Sequence, residues 1–307
     1  MMEESTVSKS VERLSEAERH AESERRKGVA RTIGRFIRGK PLGAIGALVL
    51  ILLLFFALTA DMLAPYGFAQ TDVPNRLSSP SSNHYFGTDE QGRDVFSRVL
   101  YGAQTSVIIA LTAIATMTAI ATTLGIVSGY FGGWFDLLFQ RVIDIWLALP
   151  GLIFVIFVAS IFGASTIMLA LVIGLLMAGG SSRLIRSATI SIRESLYVES
   201  ARAVGASHFR IISRHLFPNV SAVIIISASV QIGSVILLES SLSFLGFGPP
   251  PPMPSWGRML REAQLYMHQD WYLAVFPGLA ITATVFGMNM FGDALRDVLD
   301  PRLRGSR

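Results

Sequence analysis

Five stretches of this sequence carry no charged residue over a length that governs folding: Pro41 to Ala60, Val99 to Phe135, Ile145 to Ser182, Asn219 to Leu238 and Trp271 to Gly292. A bilayer core is about 30 Å thick and a helix rises about 1.5 Å per residue, so about 20 apolar residues make one crossing. The run from Ile145 is too long for a single crossing. It breaks at Phe162-Gly163-Ala164-Ser165-Thr166, where glycine and small polar residues permit a tight turn. The pattern predicts an all-α polytopic membrane protein of about six transmembrane helices. Composition agrees, with 51% hydrophobic and only 16% charged residues and a mean hydropathy of +0.50.

The charges that remain set an orientation. Arg25, Arg26, Lys27, Arg31, Arg35, Arg38 and Lys40 precede the first run, and Arg183, Arg186, Arg193, Arg202, Arg210 and Arg214 follow the long one. Lys and Arg are retained on the cytoplasmic side, which places both segments inside. An even number of spans then puts both termini in the cytoplasm, in agreement with the closing Arg302, Arg304 and Arg307. The net charge of +4 is explained by these flanking residues, so no nucleic-acid partner is expected. Cysteine is absent, which excludes disulfides and thiolate chemistry.

Three units are expected along the chain. Residues 1–40 form a cytoplasmic tail ending in an interfacial helix, with Val29, Ile33, Phe36 and Ile37 on one face between arginines. Residues 41–104 hold the first span, a retained anchor rather than a signal peptide, and an extracytoplasmic segment. Residues 105–307 form a five-span core with a cytoplasmic loop at 183–218.

The membrane interior lacks the groups that ion coupling needs. Ion coupling usually needs carboxylates or broken helices at mid-membrane, whereas Asp61, Asp144 and Glu239 fall near the ends of apolar runs, where a solvated or capped charge is expected. No phosphate loop ending in Gly-Lys-Ser/Thr is present, and His20, His84, His208, His215 and His268 show no metal-ligand spacing. The chain is therefore expected to be non-catalytic, without a cofactor or metal of its own, and to draw energy from a partner.

The loop between Ser182 and Asn219 offers a handle for that partner. Glu199-Ser200-Ala201-Arg202-Ala203-Val204 has helical character, Gly205 interrupts it, and a second short helix follows. Ala201, Ala203 and Val204 give a low-profile face before the hinge, Phe209 and Ile212 a hydrophobic pair after it, and Pro218 is expected to stop the segment. An amphipathic loop lying on the lipid surface is the alternative.

Glu199, Ala201, Gly205 and Pro218 keep the spacing of the Glu-Ala-Ala loop of ABC-importer permeases, which this loop resembles, although Ser200, His215 and Phe217 depart from that pattern. Further motifs are similar to the second, C-type permease subunit of dipeptide and oligopeptide importers. They are Phe86-Gly87-Thr88-Asp89-Glu90-Gln91-Gly92-Arg93-Asp94 with Arg98, Asp144-Ile145-Trp146-Leu147-Ala148-Leu149-Pro150, Leu245-Gly246-Phe247-Gly248 with Pro254-Ser255-Trp256-Gly257, and Gly292-Asp293-Ala294-Leu295-Arg296-Asp297. The resemblance implies a type I ABC importer permease fold in a prokaryotic inner membrane. It also implies a second permease, two ATPase subunits holding ATP and Mg, and an extracytoplasmic substrate-binding protein. Peptide is the substrate it points to, with nickel, glutathione or sugars as alternatives.

Read physically, Asp89, Arg93, Asp94 and Arg98 are expected to pair locally rather than face a docking protein. The prolines from Pro249 to Pro252 form a stiff strap that either lines the outer mouth or bridges two spans. Gly125 and Gly129 mark close helix packing. Two other classes compete with the importer subunit: an ion-coupled secondary transporter and a structural membrane protein without transport.

Overall fold

The computed structural model describes residues 39–163 and 165–299. The tail up to residue 38, with nearly all of its expected interfacial helix, and the closing Arg302, Arg304 and Arg307 lie outside the described residues. Ten α-helices are described: α1 Pro41–Leu63, α2 Val95–Phe131, α3 Gly133–Ala148, α4 Gly151–Phe162, α5 Thr166–Arg193, α6 Leu196–Ala203, α7 His208–Ile211, α8 Phe217–Leu245, α9 Trp256–Ala263 and α10 Tyr272–Leu299. Among the described residues there is no β-strand, as an all-α chain requires.

Helices α1, α2, α5 and α10, together with the run from α7 through α8, are each long and apolar enough to cross a membrane. Helices α3 and α4 meet that test only as a pair, bent by 85° at a short break. Counted as one span, the pair brings the total to six. The sequence reading began this uncharged run at Ile145, whereas the bent pair begins at Gly133 and breaks at Pro150. Pro150 has no N–H and its ring disfavours a helical residue before it, so Leu149 is extended (φ −75°, ψ 131°) and α3 ends at Ala148. The 12 residues of α4 span about 18 Å, too little to cross alone. The turn at Gly163 forms as expected: Gly163 adopts φ +81°, and Ser165 caps α5 by accepting from the Met168 N–H at 3.2 Å.

The bundle is built on the parallel pair α2 and α5, in which Ala113, Gly125 and Gly129 face Gly174, Ile185 and Thr189 in turn. A Cβ on Gly125 would lie 2.8 Å from Ile185, one on Gly129 2.9 Å from the Arg186 carbonyl, and one on Gly174 2.4 Å from the Ala113 carbonyl. The small residues therefore set the interhelical distance, the packing role expected of Gly125 and Gly129. Helix α1 lies against α10 in the same way, with Gly46 against the Gly287 carbonyl, and Lys40 pairs with Asp297 at one end. The central core joins Ile109, Ile173, Val155, Val235, Leu242 and Met288 from five helices.

The expected solvated or capped carboxylates divide. Asp61 is exposed, and half-exposed Asp144 pairs with Arg183 and, at 3.5 Å, with Arg141. Glu239 is only 1% exposed, which corrects its reading as a solvated charge. Helix α8 continues to Leu245, so Glu239 lies inside the helix rather than at its mouth. It accepts hydrogen bonds from the hydroxyls of Ser243 at 2.7 Å and Ser240 at 3.4 Å.

Candidate functional site

At the end of the bundle where α2 and α5 finish, residues 194–216 form a compact helical loop. Helix α6 closes with a glycine-dependent cap: the Gly205 N–H donates to the Arg202 carbonyl at 2.9 Å and the Ala206 N–H to the Ala201 carbonyl at 3.0 Å. That pairing requires the residue after the cap to be left-handed, and Gly205 stands at φ +80°. Ser207 then starts α7 by accepting from the Arg210 N–H at 3.3 Å. Helix, hinge and helix thus form where the sequence places them.

The loop is fixed to the bundle through Tyr130, the penultimate residue of α2. Tyr130, Val198, Ile211 and Leu216 make a small buried core. The Tyr130 hydroxyl is hydrogen-bonded to His208 Nδ1 at 2.8 Å, and the Arg202 guanidinium lies 5.2 Å from the centre of the Tyr130 ring. Arg193, the last residue of α5, donates to the carbonyls of Gly129 at 3.3 Å and Tyr130 at 3.2 Å. The loop is therefore joined to α2 and α5 together.

Among the described residues, the opposite face of the loop is exposed. Val204 and Phe209 are 84% and 81% exposed, Glu199, Ser200 and Ala203 are exposed, and Ala201 is half-buried. Two of the expected contributions differ. Ile212 does not stand beside Phe209 on the surface; it is half-buried between the Tyr130 core and the core around Ile185 and Val220. Pro218 does not stop the segment. Residues Ile212–Leu216 form a wide π-helical turn that leads straight into α8. With Pro218 in the first turn of α8, its missing N–H costs little, and Asn219 Nδ2 donates to the His215 carbonyl at 2.7 Å. Sequence reasoning had no signal for Tyr130 or His208 as anchors, because they lie far apart along the chain.

The other end of the bundle carries the motif from Gly87 to Arg98. Most of its polar residues are buried, while Glu90 is half-buried and Gln91 exposed. Thr88, Asp89, Arg93, Asp94 and Arg98 are all less than a tenth exposed. Arg93 Nε meets Asp89 at 2.6 Å, as local pairing predicts, but Arg93 and Arg98 also converge on Glu262 of α9, at 3.0 and 3.2 Å. Asp94 pairs with His84 at 2.9 Å and caps α2 by accepting from the Ser97 N–H at 2.8 Å. Gly87 (φ +77°) and Gly92 (φ +73°) turn the chain where a Cβ would strike Tyr272 and Asp72 respectively. Beside this cluster, burial pushes the Glu90 carboxyl above its usual range, with the Glu262 and Asp89 charges adding to the effect. Glu262 and His84 were not foreseen as members, since nothing local in the sequence ties them to Arg98 or Asp94.

The proline strap is a bridge. It leads from α8 to α9, where Trp256 packs on Gly102 and donates from Nε1 to the Val99 carbonyl at 2.9 Å, and Arg258 reaches back to the Pro249 carbonyl. Among the described residues no three His, Asp or Glu side chains converge as a metal would need.

Comparison with known proteins gives these features a family. Residues 121–305 match the family described as binding-protein-dependent transport system inner membrane component, and residues 31–80 match the N-terminal TM domain of oligopeptide transport permease C. The chain is 37% identical to a dipeptide transport system permease protein of Alkalihalophilus pseudofirmus, over 87% of this chain and 88% of that one. It is 39% identical to a glutathione transport system permease protein of Escherichia coli, over 88% and 90% of the two chains. Its fold is similar to a chain of the MetNI methionine ABC transporter in an inward-facing conformation, with a TM-score of 0.55 at 13% identity over 66% of this chain and 96% of the other. A helical bundle of this fold, with five helices long enough to span and a sixth candidate span in the bent pair, a fixed helical loop at one end and these sequence matches, belongs to the binding-protein-dependent transport system inner membrane components, in the branch of C-type permease subunits of ABC importers.

Proposed function

We propose that this chain is one half of the translocation pore of an importer for short peptides, and that the loop around Gly205 is where ATPase subunits grip it. The observation that carries this reading is the loop's construction: an exposed apolar face at Val204 and Phe209, fixed through Tyr130 and Arg193 to the two helices at the centre of the bundle. A lipid-lying loop needs no such anchorage. The loop faces the cytoplasm in this reading, as do both termini, in keeping with the arginines of 183–214.

The chain itself hydrolyses nothing; ATP and Mg are held by two ATPase subunits below it. A second permease completes the pore, and an extracytoplasmic binding protein delivers substrate. Closure of the ATPase pair on ATP draws the loops of the two permeases together and tilts the spans outward, and hydrolysis resets them. The relatives named for dipeptide and for glutathione transport both support a short peptide with charged ends.

Reconstitution of this chain with its second permease, ATPases and binding protein in lipid nanodiscs is the test. ATP hydrolysis is expected to rise several-fold when the binding protein is loaded with one of a dipeptide, an oligopeptide or glutathione. Uptake by the chain alone, driven by an ion gradient, would establish the secondary-transporter reading instead.

A further inference from the structure

The motif from Arg141 to Pro150 takes no part in the loop or in the opposite ion cluster, yet it contains the break between α3 and α4. Helix α3 starts under the α2–α5 pair, held by Asp136 against Arg186 and Ser128. It rises beside Gly179 and ends where Gly151 meets Leu176. From Thr166 to Leu176 is about 15 Å along α5 at the helical rise of about 1.5 Å per residue, half the thickness of a bilayer core. With Thr166, the start of α5, taken as the outer edge of the apolar run, the break falls near its middle. On the same scale Arg183, the first charge after the run, lies about 25 Å from Thr166, at the cytoplasmic edge of that thickness.

Two independent observations make this face unsuited to lipid. Leu147, Ala148, Leu149 and Pro150 are exposed, although a helix end leaves its last carbonyls without intrahelical partners. Irregular backbone at this depth persists only where protein covers it or a water-filled cavity meets it. The ion pair of Asp144 with Arg183 is also open, its side chains 49% and 42% exposed, with Arg141 beside it. Helix α1 shows the contrast: Leu48, Ile51, Phe55 and Leu58 are equally exposed, and no charge lies between Pro41 and Ala60. That face suits lipid.

We infer that the α3–α4 break with Asp144 and Arg183 is this chain's wall of the aqueous pathway, and that the ion pair meets the charged ends of a zwitterionic peptide. The carboxylate of Asp144 and the carbonyl end of α3 attract an ammonium group, and the Arg183 guanidinium takes a carboxylate in a two-pronged bond. A half-exposed pair is held weakly enough to exchange partners with a passing substrate. The inference rests on the importer reading for its substrate, but its placement of water does not.

The chain has no native cysteine, so single cysteines report cleanly. Ile145→Cys and Leu149→Cys, with Ile51→Cys and Leu58→Cys as controls, would be exposed to a positively charged, membrane-impermeant methanethiosulfonate in the reconstituted complex. The first two are expected to react at least tenfold faster than the controls. A transported dipeptide with ATP is expected to slow them, and Asp144→Asn to remove that protection. Reaction at positions 145 and 149 as slow as at 51 and 58, in a complex that still transports, would overturn the pathway assignment. Fast reaction that no transported peptide slows would overturn the substrate contact. A complex that labels as expected but moves no peptide would count against the importer reading and leave the water-lined wall standing.

Discussion

Gly205→Pro is expected to reduce substrate-stimulated ATP hydrolysis by at least tenfold while leaving membrane insertion intact. Proline fixes φ near −65°, whereas Gly205 stands at +80°, and it removes the N–H that donates to the Arg202 carbonyl. The cap of α6 is lost, and with it the angle between α6 and α7 that presents Val204 and Phe209 together. A tenfold loss corresponds to about 1.4 kcal/mol in the coupled step. Ala201→Asp is expected to act similarly by placing a charge on the half-buried edge of the same face. Both variants keep α1 to α5 and α8 to α10 unaltered, so basal hydrolysis by the ATPase subunits serves as the internal control. Stimulation preserved in both variants would mean that the loop does not transmit the ATPase signal.

The second large effect is on stability. Arg98 is 1% exposed and shares buried Asp89 and half-buried Glu262 with Arg93, so Arg98→Met leaves these carboxylates short of a counter-charge. Breaking a buried ion network by removing one member costs about 3–5 kcal/mol, because the remaining charge stays desolvated. The variant is expected to melt at a lower temperature in nanodiscs and to expose residues 64–94 to protease, since Arg98 also donates to the Phe68 carbonyl at 3.4 Å. An unchanged melting temperature would show that the remaining pairs satisfy the cluster without it.

Span number and the loop's helix–hinge–helix form were legible because each rests on local rules: runs without charge, and a glycine at a position that must be left-handed. The break at Pro150 was as local as these. The uncharged run from Ile145 to Ser182 drew attention to its length and hid the proline within it. What the sequence could not reveal was pairing across distance. Glu262 reaches Arg98, His208 reaches Tyr130, and Arg183 reaches Asp144 only because the bundle brings α9, α7 and α5 against their neighbours. The same limit explains Ile212 and Glu239. Helical spacing gave Ile212 an outward partner in Phe209, but the π-helical turn and the packing of α7 direct it inward.

The central claim is that the face at Val204 and Phe209 docks on an ATPase subunit. Its most direct test is short-range crosslinking from single cysteines at Val204→Cys and Phe209→Cys to the assembled complex, with Leu265→Cys, 85% exposed beside α9 at the other end of the bundle, as the control. The expected result is a crosslink to an ATPase subunit from positions 204 and 209 and none from position 265. No ATPase crosslink from either loop position in a complex that still transports peptide would contradict the claim.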